Sequence, residues 1–389
     1  MVEDTCRRLR TGQIEPSGPG EAACDSTARG TAMTIPAMLT TLADAWLHNL
    51  DPYAIQLDWF PGGGIRWYGL SYITGFVLGY LLIRRIIAAG RTPMTKEAAA
   101  DFVVTVAVSI VIGGRLGYVL FYRPELLGLL TNAQGEVYAP YWGVLAINEG
   151  GMASHGGILG GIGGCFFFAW RQRIRVAHLF DIAAFGTPIG LLMGRLANFV
   201  NGELYGRVCS ADSPVAVKFP QEMYDWPGAE EGGIEQQHLA DLMGWAPGLG
   251  IRGGDDSHRV LGNTLRAIQD GNADVIAFVS PMIQARYPSQ LFAGLTEGVI
   301  VFVVLLILFR KPVKAGLIGG AFCVTYALMR VINEFFRLPD AHLMTDGQIP
   351  AVTRGQWLSI GLFVLGAAVI VTALRGKGDK LGGWYSAKA

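Results

Sequence analysis

Eight titratable side chains stand in stretches that are otherwise apolar. They are Tyr68 in WYGLSY, Arg115 in GGRLGYVLFY, His155 in GGMASHGGILGG, Arg195 in MGRLANF, and Tyr326, Arg330, Glu334 and Arg337 in YALMRVINEFFRL. A charged group in hydrocarbon costs roughly 3 kcal/mol or more and persists where it faces a cavity, a partner or a substrate. The guanidinium is a planar fork of donors that matches a phosphate. The last four residues fall at i, i+4, i+8 and i+11, a single stripe along one helix. Each also has a plainer reading. Arginines near a helix end snorkel to the interface, which competes at Arg115 and Arg337 more than at Arg195 and Arg330. His155 also fits helix packing, and Glu334 with Arg337, three residues apart, also fits a structural ion pair.

The elements that must carry these groups are membrane helices. A hydrocarbon core of about 30 Å needs about 20 mostly apolar residues, and seven stretches qualify: 67–86, 102–122, 151–170, 179–199, 291–309, 316–336 and 355–374. The expected fold is therefore an all-α polytopic membrane protein of seven transmembrane helices. Lys and Arg cluster after the first, third, fifth and seventh stretches (Arg84, Arg85, Arg91 and Lys96; Arg171, Arg173 and Arg175; Arg310, Lys311 and Lys314; Arg375, Lys377, Lys380 and Lys388). Such loops are retained in the cytoplasm, so the N-terminus is expected outside and the C-terminus inside. The connection 207–288, with 11 acidic and 6 basic residues, is then a polar extracytoplasmic insert between helices four and five. It is expected to form a lid.

The remaining divisions follow from composition. Residues 1–33 are polar with no apolar run after Arg7, Arg8 and Arg10, and read as a disordered extension. Met33 offers a second start that would remove it. Ile35 to Leu50 is too short to span and contains Asp44, as expected of an interfacial helix. The membrane domain then comprises 34–206 and 289–375, with 376–389 as a cytoplasmic tail. Over 389 residues, 51% are apolar and 16% charged, and 31 basic residues balance 31 acidic ones, so no global field favours nucleic acid. Cys6, Cys24, Cys165, Cys209 and Cys323 show no C-x-x-C spacing, which sets aside zinc and dithiol chemistry. Gly156, Gly160 and Gly164 recur every four residues and read as a helix-contact ladder, with Gly156 and Gly157 flanking His155 as places that admit substrate.

With this topology, Tyr68, Arg115, His155, Arg195, Tyr326, Arg330, Glu334 and Arg337 all lie toward the outer leaflet. Arginines at that level point to a phospholipid head group. The polar groups gather near one face, whereas a transporter or anion channel, the rival class, places its site at the midplane between inverted repeats.

The segment GRLANFVNGELYGR (194–207) resembles the signature of the bacterial prolipoprotein diacylglyceryl transferases. IRWYGLSY, GGRLGYVLFY, GGMASHGGILGG, RYPSQLF and YALMRVINEFFRLPDAHL resemble the family's other blocks in the same order. The resemblance implies an inner-membrane enzyme that moves the diacylglyceryl group of phosphatidylglycerol to the lipobox cysteine of a prolipoprotein signal peptide, releasing glycerol 1-phosphate. No metal or organic cofactor is implied. Matching positions place its important residues at Tyr68, His155, Arg195, Asn198, Glu203, Gly206, Tyr326, Arg330, Glu334 and Arg337. Ala293 departs from it, standing where many members carry Glu or Gln, and the 207–288 insert is longer than typical. On this reading Arg195 and Arg330 stabilise the leaving phosphate. His155 is a candidate base for the thiol, with Tyr326 and Glu203 as alternatives that orient a water or the head group. Tyr326 is grouped with these three as a catalytic candidate. Tyr68, Arg115, Asn198, Glu203, Gly206, Glu334 and Arg337 contact substrate, and Glu334 holds Arg330 across one turn.

Overall fold

The computed structural model describes residues 45–57, 64–89, 92–127, 143–145, 151–338, 352–377 and 380–383. The extension 1–33 and Met33 lie outside these residues, as does most of the expected interfacial helix. The described end of that stretch is not helical: Trp46–Leu47 is a short strand, β1. Its backbone groups find partners in Val217–Lys218, and the amide of His48 donates to the Lys218 carbonyl at 2.8 Å.

Tyr53–Gln56 (β2) pairs antiparallel with Gly64–Arg66 (β3) and leads into α1, Trp67–Ala88. Next come α2, Lys96–Phe121, α3, Ser154–Gln172, and α4, Val176–Asn201. The Thr95 hydroxyl caps α2 by accepting from the Ala98 amide. Gly202, at φ +68°, ends α4 in the left-handed region that suits glycine.

Between α4 and the next apolar stretch lie β4 (Val217–Lys218), α5 (Ile234–Trp245), α6 (Ser257–Gln269), α7 (Ala273–Val279) and β5 (Ala285–Arg286). β4 is the middle strand, parallel to β1 and antiparallel to β5. On the buried face of α6, Val260, Leu261 and Ile268 meet Met223, Trp226, Leu242, Val275 and Val279 in one apolar cluster that β1 joins through Leu47. Burial of a large apolar side chain stabilises by about 1.5–3 kcal/mol, so this polar stretch has an apolar core.

The chain returns to apolar helices with α8, Ser289–Leu308, α9, Leu317–Glu334, and α10, Arg354–Arg375. Among the described residues, α1, α2, α4, α8 and α10 are long and apolar enough to cross a membrane on their own. The other two, α3 and α9, carry the glycine run and the Arg330–Glu334 pair respectively. α9 stops at Glu334, so Arg337 leaves the expected helical stripe.

The glycine ladder of α3 packs on α2. A Cβ at Gly160 would stand 2.1 Å from the Ser109 carbonyl oxygen, and one at Gly156 2.3 Å from that of Gly113. This corrects the expectation for Gly156: the backbone of α2 fills the space that a substrate would need. At the opposite end of the bundle, Asp181 of α4 accepts from the amides of Gly316 at 2.7 Å and Gly319 at 2.8 Å. A carboxylate thereby satisfies the first orphan donors of α9.

Candidate active site

Two helices and one interrupted helix bring the central charges together. α4 supplies Arg195, α9 supplies Arg330, Asn333 and Glu334, and α8 supplies Glu297 from a π-helical turn, Gly294–Ile300. Such turns recur at functional sites. Gly298 lets this turn approach α4, since a Cβ there would lie 2.9 Å from the Leu192 Cβ. Glu297 is fully buried. Its Oε2 accepts from Arg195 Nη2 at 3.3 Å, and its Oε1 from Arg330 Nη1 at 3.3 Å and Asn333 Nδ2 at 3.2 Å. Arg330 Nη2 meets Glu334 Oε2 at 3.1 Å across one turn, and the Thr353 hydroxyl donates to Glu334 Oε1 at 2.7 Å. Two partly buried guanidiniums and two buried carboxylates therefore form a mutually bonded set, the condition under which buried charge is tolerated. The phenol of Tyr326 lies within electrostatic reach of Glu297, Arg330, Arg195 and Arg337.

The turn after α4 carries the second group. Asn198 Nδ2 lies 3.5 Å and Asn201 Nδ2 3.2 Å from the carboxylate of Glu203. Gln290 Nε2 donates to the Glu203 carbonyl at 2.6 Å, and the Ser289 hydroxyl to that of Leu204 at 2.9 Å. Gly206 pairs with Arg337 in an antiparallel bridge and donates to the Tyr287 carbonyl at 2.9 Å. A Cβ at Gly206 would stand 2.5 Å from the carbonyl oxygens of both Phe336 and Tyr287. Arg207 donates from Nε to the Arg337 carbonyl at 3.0 Å and from Nη2 to that of Glu334 at 3.3 Å, tying the end of α9 to the turn.

The polar segment grips the same turn. The Tyr205 hydroxyl donates to Asp225 Oδ2 at 2.8 Å, and the Arg286 guanidinium lies over the Tyr205 ring at 4.9 Å while its Nε meets Glu222 Oε2 at 2.7 Å. Burial pushes the Glu222 carboxyl up, opposed by the Gln284 amide and the Arg286 charge. Burial also raises the Tyr205 phenol, with Asp225 adding to the effect. Behind the turn, the imidazole of His48 packs between Phe199 at 5.4 Å and Phe219 at 5.3 Å. Burial lowers its pKa from 6.5 to about 4.

The structure thus brings together Arg195, Arg330, Glu334 and Tyr326, and, along one turn, Asn198, Glu203, Gly206 and Arg337. Arg115 requires a correction. It is 4% exposed, and its Nε, Nη1 and Nη2 donate to the carbonyls of Val144 at 2.8 Å, Gly151 at 3.1 Å and Gly143 at 2.6 Å. The guanidinium secures the approach to α3 instead of presenting its fork to a ligand. His155 is exposed in the first turn of α3, and among the described residues no hydrogen bond or ion pair joins it to the arginines. The Tyr68 hydroxyl accepts from that of Tyr72 at 3.2 Å. Sequence reasoning missed Glu297, Arg207, Asn333 and Gln290. Glu297 had a signal, as the single acid within an apolar stretch between Gly294 and Gly298.

Comparison with known proteins gives this arrangement relatives. The chain is 40% identical over 350 residues to the phosphatidylglycerol--prolipoprotein diacylglyceryl transferase of Bdellovibrio bacteriovorus, covering 87% of this chain and 97% of that one. It is 33% identical over 326 residues to the protein of that name from Erythrobacter litoralis, covering 83% and 89%. With the one from Rhodopseudomonas palustris it shares 32% over 333 residues, covering 84% and 90%. The family model described as prolipoprotein diacylglyceryl transferase matches residues 52–372, and the chain belongs to that family.

Proposed function

We propose that this protein transfers the diacylglyceryl group of phosphatidylglycerol to the lipobox cysteine of a prolipoprotein signal peptide, with glycerol 1-phosphate as the other product. The observation that carries this reading is the meeting of Arg195 and Arg330 on one buried carboxylate, a position where a phosphate would be recognised by two guanidiniums at once. The relatives are named as transferases, and the transporter reading has no such support.

In the reaction, the cysteine sulfur attacks the glycerol carbon that bears the phosphate ester. The carbon–oxygen bond breaks, and its electron pair leaves with the phosphate. Arg195 and Arg330 stabilise the charge that gathers there, a contribution of about 3–4 kcal/mol for a strong preorganised donor. Glu334 and Thr353 keep Arg330 in its fork orientation. Asn198 and Glu203 suit the glycerol hydroxyls, and Tyr326 and Tyr68 border the head group. The thiol has an ordinary pKa of about 8.5 and must lose its proton to react. His155 is the base in this proposal: its imidazole is accessible in the first turn of α3, and histidine is the side chain most often used to take a proton in catalysis.

The topology that fits this chemistry has seven spans in the bacterial inner membrane, the N-terminus outside, the C-terminus inside and the site toward the outer leaflet. The alternation of basic loops supports it. Segment 207–288 then lies outside as a lid over the turn that carries Glu203. Purified protein supplied with phosphatidylglycerol and a lipobox peptide tests the activity. A diacylglyceryl mass gain on the peptide cysteine is expected, and no gain overturns the reading. A membrane-impermeant thiol probe that labels cysteines placed in 207–288 only from the cytoplasm overturns the topology.

A further inference from the structure

Glu297 poses a question of charge. Its carboxylate stands between the two guanidiniums that the proposed reaction reserves for phosphate, one oxygen 3.3 Å from Arg195 and the other 3.3 Å from Arg330. One anion bridging two forks copies the way a phosphate would bridge them. The bonds are longer than the roughly 2.7–2.9 Å of a tight charge-assisted contact, so the carboxylate holds both arginines without closing on either. Asn333 steadies Glu297 at 3.2 Å, while Glu334 takes the second nitrogen of Arg330 at 3.1 Å. Arg195 and Arg330 stay partly open, with 18% and 11% of their side chains exposed, while Glu297 has none.

The chemistry of the two ligands differs in a way that gives this carboxylate work. The substrate phosphodiester carries one negative charge, whereas the released glycerol phosphate is a monoester with about −1.5 to −2 near neutral pH. Arginines that stabilise the leaving phosphate would also retain it. A resident anion opposes a ligand in proportion to that ligand's charge, so it weakens the product more than the substrate.

Resting on the transferase reading, we propose that Glu297 is an internal counter-anion. It sets the separation of Arg195 and Arg330 in the empty site, shares them with the phosphodiester, and competes for them to expel glycerol phosphate after transfer. Glu297 is on this account a positioning residue that also governs release.

The test is product inhibition by sn-glycerol 1-phosphate in purified wild-type and Glu297→Gln protein. Gln keeps the shape of the side chain and an acceptor for Asn333, and removes the charge. The inhibition constant is expected to fall about tenfold or more, with KM for phosphatidylglycerol falling less and kcat falling as release slows. An unchanged inhibition constant in an active variant overturns the proposal and leaves the transferase reading intact. Absence of transfer in the wild type overturns that reading instead. If Glu297→Gln does not fold or shows no transfer, Glu297→Asp withdraws the charge by one methylene. An inhibition constant below that of the wild type then supports the proposal, and an equal one overturns it.

Discussion

Arg195 and Arg330 stand 135 residues apart in the chain and bind opposite oxygens of a single carboxylate, that of Glu297. A fork and a point charge are not equivalent at such a position. Arg195→Lys is therefore expected to lower kcat/KM for diacylglyceryl transfer by about 10²-fold or more, with little change in melting temperature because a cation still faces Glu297. Full transfer by the variant, measured as mass gain on the lipobox peptide, would exclude the bidentate role.

Arg115 makes the opposite prediction. Its removal abandons three carbonyl acceptors and leaves the arginine pair untouched. Arg115→Ala should cost about 2–4 kcal/mol of stability, while KM for phosphatidylglycerol in the folded fraction stays at the wild-type value. A raised KM without loss of thermal stability would restore Arg115 to the substrate site.

Gly206 has no room for a methyl group. The nearest atoms are two backbone oxygens, that of Phe336 accepting from the Arg207 amide and that of Tyr287 from the Gly206 amide, so neither can yield without breaking a backbone bond. Gly206→Ala is expected to cost about 1–3 kcal/mol and to reduce transfer, because the bridge holds Arg337 against the Glu203 turn. Wild-type kinetics in the variant would count against that coupling.

His48 predicts a pH dependence. Its folded pKa, about 4, lies below the ordinary 6.5, so the unfolded chain takes up the proton first. The neutral form's advantage is complete above pH 6.5 and is lost as the pH falls from 6.5 toward 4. Its full size is on the order of 3 kcal/mol. Thermal melts at pH 7.5 and pH 5 should differ more in the wild type than in His48→Gln. Equal differences would mean that other groups set the slope.

The helices were legible because apolar length is written locally, and the arginines of the candidate site because a charge inside such a length is conspicuous. Arg330 with Glu334 was readable from their four-residue spacing. The partners of Arg115 were not, since a carbonyl carries no sequence mark. Arg207 escaped for the same reason, its acceptors lying on Glu334 and Arg337. The π-helical turn was hidden because α and π segments share the same apolar composition; only Gly294 and Gly298 around Glu297 hint at a close approach. The end of the expected interfacial helix failed at Trp46–Leu47, where pairing with a strand some 170 residues away overrides local pattern.

The contact of Asp181 with Gly316 gives α4 and α9 a common zero. Arg195 stands fourteen residues beyond Asp181, and Arg330 fourteen beyond Gly316. At 1.5 Å per residue, both arginines rise about 21 Å from one shared mark. The Gly206–Arg337 bridge fastens the two chains again beyond the arginines. Helices pinned at both ends and counted equally from one pin keep their level without a ligand to align them. One residue inserted into either helix between pin and arginine would turn its guanidinium by about 100° and lift it about 1.5 Å, out of reach of its twin.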